Sequence, residues 1–109
     1  MTVNELVSEF NLEIVAGPEL DKEIDGVYCG DLLSNVMARA EKNNLWMTVQ
    51  GHQNVVAVAL LVDISAVILV EGFEYDEKAV KKACQKGVNL LKTKKKTYNL
   101  ACKFCESNI

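Results

Sequence analysis

Residues 26–54, GVYCGDLLSNVMARAEKNNLWMTVQGHQN, hold two strand-to-helix junctions in succession. The short apolar run Val27-Tyr28-Cys29 leads into Gly30 and Asp31, and Leu45-Trp46-Met47 leads into Thr48, Gln50, Gly51, His52 and Asn54. Both polar clusters therefore fall at the carboxyl ends of predicted strands. In open α/β sheets that edge is where ligands bind.

The same alternation extends outward. Thr2 with Glu5 spells a capping box, and Val3, Leu6, Val7 and Phe10 recur at helical spacing, so a helix is predicted over 3–10. Leu12 to Ala16 reads as a strand that Gly17-Pro18 breaks, and an acidic loop leads to the strand near Val27. Asp31 is placed as the cap of a second helix with Leu32, Leu33, Val36, Met37 and Ala40 on one face, ending at Asn43-Asn44. Leu45 to Val49 is the third strand, and Asn54 is expected to cap an almost wholly apolar helix through Leu61. Burial under the sheet or against a partner would follow. Ala66 to Val70 is the fourth strand, and Asp76 starts a helix with Ala79, Val80 and Ala83 inward, stopped by Gly87. Val88 to Leu91 is the fifth strand, and Thr97 is placed as the cap of a last helix with Leu100, Ala101, Phe104 and Cys105 inward. The predicted class is α/β, a three-layer α/β/α arrangement with a mainly parallel sheet of about five strands.

At 109 residues the chain fits one domain, 1–109, with room for one core. Half of it is hydrophobic and a quarter charged, which excludes a disordered chain. The longest apolar run, VVAVALLV before Asp63, is too short to span a bilayer, and the acidic, amphipathic start lacks the features of a secretory signal. A cytoplasmic protein is expected.

The net charge of −3 conceals an asymmetry: residues 1–77 hold 14 acids against 3 bases, and residues 78–109 hold 1 acid against 9 bases. All nine bases are lysine, with no interleaved aromatic series, and the rest of the chain is acidic. That pattern argues against a nucleic-acid surface and for a solvated helix face, with a symmetric homodimer joined by opposite patches as a further option.

Tyr28-Cys29-Gly30-Asp31-Leu32-Leu33-Ser34, Leu45 to Gln50, Ala66 to Gly72 and Gly87 to Thr93 together resemble the DRTGG domain family over nearly the whole chain. Domains of this family look like the N-terminal domain of HPr kinase/phosphorylase and occur beside CBS domains in regulated pyrophosphatases, where they are non-catalytic. The resemblance implies a regulatory module that acts on a partner enzyme. The patch Asp21-Lys22-Glu23-Ile24-Asp25-Gly26 departs from the family pattern, with Lys for the expected Arg and no double glycine. A serine kinase label would rest on likeness to a non-catalytic domain alone, since no GxxxxGK[ST] loop is present to cradle phosphates.

Among candidate ligand-binding residues, Gly30 and Asp31 offer a helix start, although an acidic cap disfavours bare phosphate. Thr48, Gln50, His52 and Asn54 supply neutral donors and acceptors suited to a base, ribose or amide, but they equally suit an ordinary turn. Glu71 and Gly72 end the fourth strand, and Thr93 and Thr97, with Lys92 and Lys94 nearby, could grip phosphate. His52 is the only histidine, so no His-based triad can be assembled. Cys102 and Cys105 have CxxC spacing inside a predicted helix, where reduced thiols are the simpler reading than a metal or redox site. Neither a metal nor a cofactor is expected, a nucleotide ligand being the open option. Two function classes remain: a regulatory domain, expected to be a homodimer, sensing an adenine nucleotide or other small anionic metabolite and modulating a partner enzyme, and a protein-interaction subunit using the apolar helix from Val55 to Val62.

Overall fold

Thr2 and Glu5 cap each other as their spacing predicts. In the computed structural model, which describes residues 1–109, the Glu5 amide donates to the Thr2 hydroxyl at 3.2 Å and the Thr2 amide to the Glu5 carboxylate at 3.0 Å. These bonds open helix α1 (Val3–Phe10), which stops where Asn11 turns left-handed. There follow β1 (Glu13–Ala16), β2 (Val27–Cys29), α2 (Leu33–Arg39), β3 (Leu45–Thr48), α3 (Gln53–Val62), β4 (Ala66–Leu69), α4 (Glu77–Lys86), β5 (Leu90–Lys92) and α5 (Thr97–Glu106). The five strands form one sheet in the order β1-β5-β4-β3-β2. β2 to β5 run parallel and β1 lies antiparallel against β5.

Strand alternation sorts the core into two layers. Trp46, Val67 and Leu90 face α2, α3 and α4, meeting Val36, Val56, Ala59, Ala79 and Ala83. Leu45, Met47, Ile68 and Leu91 face α1 and α5, meeting Leu6, Phe10, Leu100 and Phe104. There Phe10 and Phe104 pack edge to face, with ring centroids 4.8 Å apart. The three-layer α/β/α expectation therefore holds, with one antiparallel edge strand.

The antiparallel β1 delivers the chain to the amino edge of the sheet, so residues 17–26 must cross beneath β5, β4 and β3 to begin β2. Three buried polar residues, each immediately preceding a strand, hold that crossing. Asn89 before β5 accepts from the Glu19 amide at 3.0 Å and donates to the Glu19 and Ser65 carbonyls at 2.7 and 2.9 Å. Ser65 before β4 donates to the Glu23 carbonyl. Asn44 before β3 donates to the Asp25 carbonyl at 2.6 Å and accepts from the Glu41 amide at 2.9 Å. The patch from Asp21 to Gly26 therefore lies at the amino edge, opposite the strand-end clusters. Asn89→Ala removes three hydrogen bonds at a site only 1% exposed and should cost about 2 kcal/mol. A chemical-denaturation midpoint measures it; an unchanged midpoint would mean that water replaces the amide without loss.

Several helix boundaries differ from expectation. α2 is two turns long, running from Leu33 to Arg39, and Val36 is its buried anchor, while Leu32 and Met37 are 62% and 46% exposed. Leu32 occupies the cap position, because the Asp31 carboxylate is bound elsewhere. His52, not Asn54, caps α3: its Nδ1 accepts from the Asn54 amide at 3.1 Å. Thr97 is the first helical residue of α5 and caps nothing; Lys96 precedes it without a side-chain bond. Cys105 is exposed, since Leu100 and Phe104, four residues apart, set the inward stripe and the next residue turns away. β5 begins at Leu90, two residues later than the apolar run suggested, because the Asn89 side chain belongs to the crossing loop. No helix is long and apolar enough to cross a membrane.

Candidate functional site

Parallel pairing of β2 to β5 brings Gly30, Thr48, Glu71 and Thr93 to one edge of the sheet, and the antiparallel β1 starts there too, at Glu13. The edge has two halves with different properties.

The β2–β3 half is braced against itself. Asp31 Oδ1 accepts from the Thr48 hydroxyl at 2.9 Å and from the Val49 amide at 3.1 Å. The Gln50 side-chain amide donates to the Asp31 carbonyl, and Trp46 Nε1 donates to the Gly30 carbonyl at 2.8 Å. Thr48 is 2% exposed. Asp31 is thus a cross-loop clamp between β2 and β3 rather than the cap of α2, which its position before an apolar run suggested. His52 is engaged as the α3 cap, and Asn54 is exposed on the first turn. Gly51 joins the two halves. Its carbonyl accepts from the Asp76 amide at 2.9 Å, and the loop after β4 passes so close that a Cβ on Gly51 would lie 2.1 Å from the Glu74 carbonyl oxygen.

The β4–β5 half is open. Glu71 and Gly72 are successive left-handed residues, and their amides donate to the Lys95 and Thr93 carbonyls at 2.9 and 3.0 Å. This turn, the end of β5 and the start of β1 enclose a cleft of about 320 Å³. Lys92, Thr93, Lys94 and Lys95 at the end of β5 line it, flanked by Asn11 and Glu13 at the start of β1 and by Gly72 and Glu74 in the loop after β4, with no hydrophobic residue among them. Lys92 donates to both Glu74 oxygens at 2.7 Å and pairs with Glu13 at 3.4 Å. Those bonds, the Glu74 one foremost, hold its ammonium above the ordinary lysine range. The Thr93 hydroxyl accepts from the Lys95 amide at 3.2 Å, and Lys95 Nζ donates to the Phe10 carbonyl at 3.3 Å. Gly72 and Thr93 of the expected residues line the cleft; Glu71 forms its outer turn and Thr97 lies beyond it in α5. Glu13 and Glu74 were not anticipated, because nothing in their own neighbourhood signals a partner. The register pair Glu13 and Lys92 exists only once β1 is known to lie antiparallel on β5.

Next to Glu74 in the chain, Tyr75 sends its hydroxyl into the sheet, donating to the Leu91 carbonyl at 2.8 Å with the Val67 carbonyl at 3.2 Å. Burial pushes this phenol far above the ordinary tyrosine value of 10.0. Below pH 10 the proton is held in both the folded and unfolded chain. Above it only the unfolded chain releases the proton, so stability should fall by about 1.4 kcal/mol per pH unit. Unfolding midpoints from pH 9 to 11 measure this, and Tyr75→Phe should flatten the slope; an equal slope in both proteins would contradict it.

All four cysteines are free and exposed. Cys29 lies with its sulfur 3.6 Å from that of Met47, and burial followed by the nearby Asp31 carboxylate pushes its thiol up. No three His, Cys, Asp or Glu side chains come together as a metal site.

The model of the DRTGG domain family matches residues 5–105. Among solved structures, the chain is similar to the CBS and DRTGG domains of the regulatory region of Clostridium perfringens pyrophosphatase, complexed with the activator diadenosine tetraphosphate. The TM-score is 0.70 at 9% identity, over 92% of this chain and 44% of that one, so this chain spans less than half of that regulatory region. At that identity the likeness is one of fold. No curated protein matches. With the family match running over residues 5–105 of 109 and a sheet and helices in agreement with that fold, the chain belongs to the DRTGG domain family.

Proposed function

We propose that residues 1–109 act as a single non-catalytic regulatory module that binds a small anionic metabolite, such as an adenine nucleotide, and modulates a partner enzyme. The observation that carries this reading is the polar cleft at the carboxyl edge of a DRTGG fold, the edge at which open parallel sheets take ligands. Fold likeness to a pyrophosphatase regulatory region solved with a nucleotide activator supports it. The non-catalytic part is supported by how the titratable groups are used. The sole histidine caps a helix, Asp31 clamps a loop, and Lys92, Glu13 and Glu74 pair with one another. None is poised as a nucleophile beside a base. Kinship with the N-terminal domain of HPr kinase/phosphorylase, a homodimeric state and a cytoplasmic location belong to the same proposal, and the remaining strand-end residues Gly30, Asp31, Thr48, Gln50, His52, Asn54, Glu71 and Thr97 would act by shaping the ligand edge.

A thermal-shift screen against nucleotides, dinucleotides, acyl phosphates and common anions tests it. A ligand at 100 times its dissociation constant should stabilise by about 2.7 kcal/mol, several degrees at this length. A second reading, a protein-interaction subunit without a small ligand, is favoured by exposed apolar residues on α2, α3 and the α2 cap: Leu61 is 72% exposed with Leu60 exposed next to it on α3, and Leu32 at the α2 cap and Met37 on α2 are exposed as well. A flat screen together with a stable partner complex would establish that reading instead.

A further inference from the structure

We propose that the cleft between β1, β5 and the loop after β4 recognises a sugar phosphate, the ribose-phosphate part of a nucleotide included, and leaves any base outside. Phosphate would lie against Lys94 and Lys95, and vicinal sugar hydroxyls against Glu74 and Glu13. This rests on the regulatory, ligand-binding reading above and says what that ligand must carry.

The cleft's volume of about 320 Å³ lies near the lower end of the range for small-molecule sites, enough for a sugar and its phosphates. Its composition is unlike that of most such sites. No hydrophobic side chain lines it, so no surface is available on which a purine could be buried or stacked. Recognition there has to be polar.

The charges divide into two groups. Lys92 is taken up by the carboxylates, lying 2.7 Å from the Glu74 oxygens and 3.4 Å from Glu13. The Lys94 ammonium has no ion pair or hydrogen bond within the chain, and Lys95 Nζ meets only the neutral Phe10 carbonyl. Two positive charges just after β5 are therefore uncompensated, which calls for an anion. Thr93 adds a donor there: its oxygen already accepts from the Lys95 amide, which leaves the hydroxyl proton free for a phosphate oxygen.

The carboxylates have a different part. A bare polyphosphate would be repelled by Glu13 and Glu74, whereas sugar hydroxyls are donors that carboxylates accept, as ribose hydroxyls are held in dinucleotide-binding folds. Glu74 and Glu13 are both largely exposed, and each retains acceptor capacity beyond its bond to Lys92. Both held by the Lys92 ammonium, they form an acceptor pair around that lysine.

Calorimetric titration of the whole chain with ADP, GDP, dideoxy-ADP and inorganic pyrophosphate tests the assignment. ADP and GDP should bind equally, and dideoxy-ADP, lacking the diol, should be weaker by about tenfold. Lys94→Ala, at an exposed and unpaired position, should weaken every phosphate probe by about tenfold. Glu74→Gln should weaken ADP while strengthening pyrophosphate, because it replaces a charged diol acceptor by a weaker neutral one and removes a repulsive charge. ADP binding unaffected by both variants would overturn the site and leave the regulatory reading standing, as would a marked preference for adenine over guanine. No binding by any of the probes would overturn the sugar-phosphate assignment, and a flat thermal-shift screen beside it would take the regulatory ligand-binding reading down as well.

Discussion

Gly51→Ala should be among the most damaging single-methyl changes available to this chain, costing about 3 kcal/mol or more. An ideal Cβ at this position would lie 2.1 Å from the Glu74 carbonyl oxygen and 2.8 Å from the Tyr75 Cα. Both are backbone atoms, so no side-chain rotation can relieve the overlap. Separating the two loops would also break the bond from the Asp76 amide to the Gly51 carbonyl and draw Tyr75 out of its contact with the Leu91 carbonyl. Gly72→Ala is the informative control. A Cβ there meets nothing within 4 Å, and the only penalty is the left-handed backbone at φ +77°, about 1 kcal/mol. Urea midpoints of the two variants should separate clearly; equal midpoints would mean that the junction between the β3 and β4 loops is loose.

Ala59→Asp should unfold the protein, and Leu61→Asp should not. Ala59 is 1% exposed and packs with Trp46, Val67 and Ala79 between α3 and the sheet, where a carboxylate would have neither water nor a partner. The expected cost is about 3–5 kcal/mol, much of the stability of a domain of this size. Leu61, two residues on, faces outward, so a charge there should change the stability of the isolated chain by no more than about 0.5 kcal/mol. The pair separates the two functional readings. Circular dichroism of Leu61→Asp should show a native fold with ligand binding retained. If Leu61→Asp instead dissolves an assembly or abolishes partner capture, the outer face of α3 is an interface. Ala59 cannot serve as that probe, since its loss of fold would mask any loss of association.

The elements that hydrophobic period determines were legible from residue order. Leu45, Trp46 and Met47 alternate between the two core layers as a buried strand must, and Val3, Leu6 and Phe10 mark a helix face with its cap already spelled out by Thr2 and Glu5. The misplaced features that bear on the site trace to polar side chains whose partners are distant in sequence. Asp31 looks like a cap because the nearest helix is the only local customer for a carboxylate, yet its actual partners are 17 and 18 residues ahead. Asn44, Ser65 and Asn89 carry no local signal of their part in holding the crossing loop, which depends on β1 running against β5. The cleft has the same origin: Asn11, Glu13, Glu74 and Lys94 belong to three separate segments that only the sheet order β1-β5-β4 brings together. The carboxyl edge was therefore identifiable as the ligand edge, while the half of it that stays open was not.

Titrating the chain with magnesium and a nucleoside triphosphate in a calorimeter, then chromatographing the cell contents, tests directly whether this DRTGG module binds an anionic ligand without transforming it. Saturable heat with the nucleotide recovered intact is the expected result. Release of diphosphate or transfer of phosphate to the protein would contradict the non-catalytic reading, and absence of saturable heat would contradict nucleotide binding.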